Sequence, residues 1–284
     1  MPVKLTIGQH YIKASFPYWK LLSLLCLMSA VMISMALNKN AYVASQKDIF
    51  SFSNNALQIL PSEIWHNITY LGDALILIPL LSFICLVNTR MWAAMFGAIP
   101  LACSLSHFGK NYFAIPRPAA VLDHQQFTII GDALTAHTSF PSGHTITIFT
   151  AVSAVVFVLL REAKINNQHL TCWVYLSIAV ATLVAISRVA VGAHWPADLA
   201  FGAIIGTVSG LSGEYLSRHY SKWWYWAKVK PAILGCFILT FCFALLVCTI
   251  TGKLPELTVI WLAISVSAIV GSYITLRSIF QNEH

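Results

Sequence analysis

The sequence predicts an all-α protein, a polytopic bundle of about eight transmembrane helices, and three observations predict it. Hydrophobic residues make up 58% of the 284 residues and charged residues only 10%, where a soluble domain carries roughly 25% charge. The mean hydropathy is +0.73. The apolar residues gather into uncharged runs long enough to cross a hydrocarbon layer of about 30 Å. These runs are continuously apolar, whereas the strands of a β-barrel would alternate apolar with polar. Disorder is excluded, and the polar residues are too few to clothe one or two soluble domains.

In chain order the runs fall at about 20–38, 68–88, 91–108, 144–160, 171–193, 197–215, 231–250 and 257–275. The first is uncharged from Leu21 to Asn38 and exceeds the h-region of a signal peptide, about 7–15 residues, so it reads as a permanent helix. Loop charges orient the rest. With the N-terminus cytoplasmic, the inner segments hold eleven basic residues (Lys4, Lys13, Lys20, Arg90, Arg161, Lys164, Arg218, Lys222, Lys228, Lys230 and Arg277) and the outer segments five (Lys39, Lys47, Lys110, Arg117 and Lys253). That bias predicts both termini inside. The connection His219–Lys230, carrying Trp223, Trp224, Tyr225 and Trp226, reads as an anchor at the inner interface, with a lipid-binding role as the alternative. No internal repeat or soluble linker interrupts the chain, so residues 1–284 read as a single membrane domain, with 231–275 as an additional helix pair.

Composition also excludes functions. The net charge of +7 is spread between hydrophobic segments and forms no continuous basic groove, so nucleic acid is not an expected partner. The seven cysteines are odd in number, lie in apolar stretches and show no CxxC or Cys/His spacing, so neither disulfides nor a metal site are expected.

Charges at membrane helices are costly and call for a partner or a function. They cluster in three places. Lys110 and Arg117 follow the third run, in a segment stiffened by Pro116 and Pro118; two cations snorkelling to water would look the same. Pro141-Ser142-Gly143-His144 opens the fourth run. Capping accounts for proline and serine there but leaves His144 unexplained, and a helix N-terminus with an adjacent glycine is a natural seat for a phosphate to which His144 can donate a proton. The third place is Ser187-Arg188 with His194 and Asp198, from the end of the fifth run into the sixth. Arg188 and Asp198 each suit a helix end, but His194 and Asp198 are four apart. The carboxylate can reach back to one imidazole nitrogen and leave the other free as a nucleophile. Asp198 also begins an i+4 series with Gly202, Gly206 and Gly210, a small-residue stripe that should face the bundle interior.

The topology tests this reading independently. With the N-terminus inside, the ends of the third and fifth helices and the starts of the fourth and sixth all lie on the outer side, so the three clusters converge on one face.

Lys110-x6-Arg117-Pro118, Pro141-Ser142-Gly143-His144 and Ser187-Arg188-x5-His194-x3-Asp198 resemble the three-part signature of the type 2 phosphatidic acid phosphatase (PAP2) family, whose fold is shared with vanadium haloperoxidases. The resemblance covers about residues 68–215, the expected catalytic core. It implies that His194 is the nucleophile, forming a phosphohistidine, that Asp198 orients it, and that His144 protonates the leaving group. Lys110, Arg117, Ser142, Gly143 and Arg188 would hold the phosphoryl oxygens, without metal or cofactor. The implied partner is a lipid phosphate or pyrophosphate delivered from among the membrane lipids: undecaprenyl pyrophosphate, phosphatidylglycerophosphate, phosphatidic acid or a lipid A phosphate. A bacterial inner membrane with the site on its periplasmic face is the implied setting. A phosphotransferase using the same phosphohistidine, and a membrane transporter, are the alternatives.

Three readings of other polar residues complete the expectations. Asp73 either pairs with Lys110 or another site cation or makes a local interhelical hydrogen bond. His107 reads as an interfacial histidine. Asp123, His124, Asp132 and His137 read as solvated residues of the stretch Ala119–Phe140, the natural place to contact a headgroup.

Overall fold

The computed structural model describes residues 18–162 and 168–281. Among them the chain is helical throughout, without strands: α1 Tyr18–Ala36, α2 Lys39–Leu57, α3 Ser62–Tyr70, α4 Ala74–Leu80, α5 Ile84–Val87, α6 Thr89–Phe113, α7 Pro118–Val121, α8 Gly143–Glu162, α9 Gln168–Ala190, α10 Pro196–His219, α11 Trp226–Val229, α12 Pro231–Ile250 and α13 Thr258–Gln281. Among the described residues seven helices are long and apolar enough to cross a membrane, or eight if the bent pair 62–70 and 74–87 is one span. This is an integral multi-pass membrane protein. Lys4, Lys13 and Lys164 of the charge bias lie outside the described residues.

Two of the expected elements need correction. The run at 68–88 is not one straight helix; α3 and the segment from α4 to α5 meet at 77°. The break falls at Leu71-Gly72-Asp73, where Asp73 caps α4 by accepting a hydrogen bond from Leu75 N at 2.8 Å. Asp73 thus serves its own helix, and among the described residues it makes no ion pair with a site cation. The second correction is α2. The stretch after the first run carries too many polar residues to read as a span, yet it forms a 19-residue helix, started by Asn38 Oδ1 accepting from Ala41 N. Its buried residues, Tyr42, Gln46, Phe50 and Asn54, recur every four positions and form one stripe against the end of the bundle where α9 stops and α10 starts.

Helix α10 is the centre of the molecule, flanked by α6 and α8. Its glycines permit the approach: a side chain at Gly206 would meet Phe149 Cβ at 2.6 Å and Ile146 O at 2.8 Å, so α8 is seated directly on this face. Asp198, at the head of the same stripe, is wholly buried, as its spacing predicts. The pair α12 and α13 packs on the outside of this core, against Ile76 of α4 and against Trp92 of α6 through Phe237. Trp224 and Trp226 stack edge-on against Trp92 as well, while Trp223 and Tyr225 stay exposed. All seven cysteines are free, two of them buried.

Candidate active site

The eight predicted site residues come from four segments. Helix α6 carries Lys110 in its last turn and then stops at Ala114, which takes a left-handed conformation (φ 45°). The chain leaves through Pro116, and Arg117 immediately precedes α7. Helix α8 opens with Gly143 and His144. Helix α9 ends just after Arg188. The turn that follows is folded under it, because the Arg188 carbonyl accepts from both Ala193 N (3.0 Å) and His194 N (3.2 Å). Gly192 makes that turn possible: its φ is +77°, and a Cβ there would lie 2.8 Å from Thr128 O.

These turns bring the residues together. His194 Nδ1 lies 3.2 Å from Asp198 Oδ2, and His194 Nε2 lies 3.4 Å from Arg117 Nη1. Arg117 also donates to Ala193 O at 3.2 Å. Arg188, buried, donates to Thr69 Oγ1 at 2.5 Å. Lys110 sits over Gly143, its Nζ 3.1 Å from the place a Cβ would occupy. A Cβ at residue 143 would crowd the end of the lysine, which would have to give by a few tenths of an ångström. His144 is half-buried, packed against Gly72, and its ring makes no hydrogen bond among the described residues. Ser142 plays a local part: its N–H donates to Asp198 O at 3.2 Å, tying the start of α8 to α10, and its Oγ accepts from Thr145 Oγ1 at 3.0 Å.

Asp198 has more partners than its spacing suggests. Oδ2 accepts from Ser139 Oγ (2.5 Å) and from Trp195 N (2.9 Å) in addition to facing His194, while Oδ1 accepts from Tyr42 Oη (2.6 Å). With its acceptor positions filled by donors, the carboxylate takes a proton's direction from Nδ1, so the neutral ring carries its hydrogen there and its lone pair on Nε2. Burial, and then the cations Arg117, Arg188 and Lys110, hold the His194 imidazole well below its ordinary pKa, so it is neutral at pH 7. The Tyr42 phenol is pushed far up by burial and by the Asp198 carboxylate, so it remains a donor.

Sequence reasoning missed Tyr42, Ser139 and Thr69, and the scaffold residues around them. Gln46 Oε1 accepts from Ala197 N at 2.9 Å; Asn54 donates to Val189 O and Thr128 O and accepts from Thr128 N. The period-four stripe of α2 was the available signal. His107 is exposed and lies 2.8 Å from the Asn111 side-chain amide. Asp123, His124, Asp132 and His137 are all exposed. Among the described residues no group of three or more His, Cys, Asp or Glu is placed to hold a metal ion.

Comparison with known proteins gives four relatives. The bacitracin transport permease protein BcrC of Bacillus licheniformis is 38% identical over 73 residues, 26% of this chain and 30% of that protein's length, so the chain matches less than a third of it. Phosphatidylglycerophosphatase B of Bacillus subtilis is 23% identical over 183 residues, 62% of this chain and 85% of that protein. Among solved structures, Aquifex aeolicus LpxE aligns with a TM-score of 0.49 at 28% identity, over 59% of this chain and 93% of that one. A transmembrane PAP2-type phosphatidylglycerolphosphate phosphatase from Bacillus subtilis aligns with the same score at 20% identity, over 72% and 95%. The sequence model of the PAP2 superfamily matches residues 91–226, from the start of α6 to past α10. That stretch holds all eight predicted site residues on the helix ends that gather them, and over it the chain is similar to the PAP2 superfamily.

Proposed function

We propose that this protein is a lipid phosphatase that removes a terminal phosphate, from a monoester or a pyrophosphate, through a phosphohistidine on His194. The observation that carries the reading is the orientation of His194, with Nδ1 on Asp198 and Nε2 toward Arg117. Nε2 attacks phosphorus as the bond to the leaving oxygen breaks, and His144 gives that oxygen its proton. Water then attacks the phosphohistidine and returns a proton to His144, releasing inorganic phosphate and neutral His194. Phosphoryl transfer asks mainly for positioning and for compensation of charge on the equatorial oxygens. Lys110, Arg117, Arg188 and the N–H groups at the start of α8 supply both, so the reaction needs no metal or other cofactor. Residues 68–215 form the catalytic core in this reading, and 231–275 an addition to it.

The name of one relative, a phosphatidylglycerophosphatase, favours a lipid substrate. So does the position of the site at the end of an apolar bundle: a phosphate held by Arg117 and Arg188 leaves its acyl or prenyl chain free to lie between helices. In a bilayer that chain is already in an apolar medium, so the gain is lateral delivery and orientation more than affinity. The assay is phosphate release by detergent-purified protein over a panel of lipid phosphates and pyrophosphates, with glycerol phosphate as the soluble control. Release from lipid substrates, unaffected by chelator and inhibited by vanadate, is the expected result. Equal efficiency on glycerol phosphate would remove the lipid assignment, loss of activity restored only by added metal would remove the metal-free mechanism, and transfer to a lipid acceptor in place of water would make the protein a phosphotransferase.

The proposed setting is a bacterial inner membrane with the site facing the periplasm, and the charge bias supports the site's placement on the non-cytoplasmic side. Cysteines placed at exposed positions of the 119–140 loop should react with an impermeant maleimide added to intact spheroplasts. Labelling only after the membrane is opened would reverse the topology.

A further inference from the structure

We propose that Tyr42 is a positioning residue for the nucleophile, acting through Asp198 together with Ser139, so that helix α2 belongs to the catalytic unit. The inference rests on the reading of His194 as nucleophile. It goes beyond that reading because α2 lies outside both the stretch 68–215 and the matched region 91–226.

Geometry carries it. Tyr42 is 1% exposed, with its hydroxyl 2.6 Å from Asp198 Oδ1, an oxygen that faces away from the imidazole; Oδ2 serves Ser139, Trp195 N and His194. The tyrosine ring is fixed edge-on against Phe140 at 5.7 Å. One turn further along α2, Gln46 accepts the N–H of Ala197, and two turns beyond that Asn54 holds the carbonyls of Val189 and Ala190. The stripe therefore grips the turn 191–197 from both sides of His194. A hydroxyl that only filled space would not need to meet a carboxylate, and a carboxylate that only capped α10 through Trp195 N would not need two further hydroxyl donors. Donors to a carboxylate favour its ionised form, and the ionised form is the stronger acceptor for Nδ1–H, holding the lone pair on Nε2.

The groups facing Asp198 are Tyr42 from α2, Ser139 and Arg117 from the segments between α6 and α8, and His194 from the turn before α10. Lys110, Arg188 and His144 act on the imidazole from the other side. Taking the phenol hydroxyl away leaves the carboxylate easier to protonate, and a protonated Asp198 is a weaker acceptor for Nδ1–H and carries a competing O–H donor. The loss is therefore largest in acid and shrinks as pH rises.

The test uses Tyr42→Phe, which keeps the ring and its packing, and Ser139→Ala as a second route to the same carboxylate. Both should lower kcat about tenfold to a hundredfold at neutral pH, the loss of one hydrogen bond to a charged acceptor, with KM little changed. Both should move the acidic limb of the kcat profile to higher pH. Gln58→Ala is the control: Gln58 joins the end of α2 to Ala190 O at 3.0 Å without touching Asp198, so it should lower thermal stability and leave the limb in place. A second readout needs no turnover. In protein labelled with ¹⁵N-histidine, the His194 signals, assigned by their absence in His194→Gln, should report the Nδ1–H tautomer in the wild type and a mixture in Tyr42→Phe. An unmoved limb and an unchanged tautomer in Tyr42→Phe would overturn the role of Tyr42. A wild-type protein inactive on every lipid phosphate would instead overturn the phosphatase reading, and the tautomer would still judge Tyr42.

Discussion

His194→Ala should leave no measurable phosphoenzyme and lower kcat by about 10⁴-fold or more, the scale on which loss of a covalent nucleophile is felt. The residue is 1% exposed, and Nε2 is the ring nitrogen turned to Arg117. Rapid quench into alkaline detergent after mixing with a ³²P-labelled lipid phosphate should trap alkali-stable label, lost on later acid treatment, on the wild type and none on the variant. His144→Ala should still form the phosphoenzyme, slowly with poor leaving groups and least impaired with good ones. The pH dependence has a definite sign. The imidazole is held well below the ordinary histidine pKa, first by burial and then by the cations. Protonation is what disables it, so phosphoenzyme formation should persist as pH falls through about 6.5, where a solvated histidine is half protonated, and fail only at lower pH. Wild-type turnover in His194→Ala would remove the covalent mechanism altogether.

The convergence of Lys110, Arg117, His144, Arg188, His194 and Asp198 was legible in the sequence because two kinds of signal agreed. Hydropathy fixed which helix ends share a side of the membrane, and spacing put His194 one turn from Asp198. Neither signal registers a helix that lies against the bundle without crossing it. In α2 Lys39, Asn40, Gln46, Lys47, Asp48, Asn54 and Asn55 depress the mean hydropathy. Only the period-four recurrence of Tyr42, Gln46, Phe50 and Asn54 marks its buried face, and two of those four residues are amides that a hydrophobic stripe would not include. The bend at 71–73 escaped for the opposite reason. A hydropathy window averages across Gly72 and Asp73 because the residues on both sides are apolar, and composition has no term for a change of axis. Asp73 then reads as a charge in want of a cation, although its position before Ala74 makes it a helix cap.

Glu214 was invisible for a third reason, since a lone acid near the end of a helix carries no pattern until its partners are known. It is wholly buried, at the end of the bundle opposite the site. Its Oε1 lies 3.2 Å from Arg90 Nη2 and 3.2 Å from Arg218 Nε, and its Oε2 lies 3.0 Å from Arg161 Nε. Arg90 and Asn88 both reach Glu162 as well. One carboxylate thus joins α6, α8 and α10, the three helices that carry Lys110, His144 and Asp198 at their other ends. Glu214→Ala should destabilise the protein by about 3 kcal/mol, the lower end of the range for breaking a buried pair, because the arginines are about a third exposed and can turn toward water or lipid phosphates. The loss should appear as a lower melting temperature in detergent and faster heat inactivation, with KM for the lipid substrate unchanged below the transition. Removing one of the opposing charges should restore part of the loss, so Glu214→Leu combined with Arg90→Leu should melt above Glu214→Leu alone. If Glu214→Ala melts with the wild type, the three cations are neutralised from the lipid side, and the carboxylate does not tie the helices together.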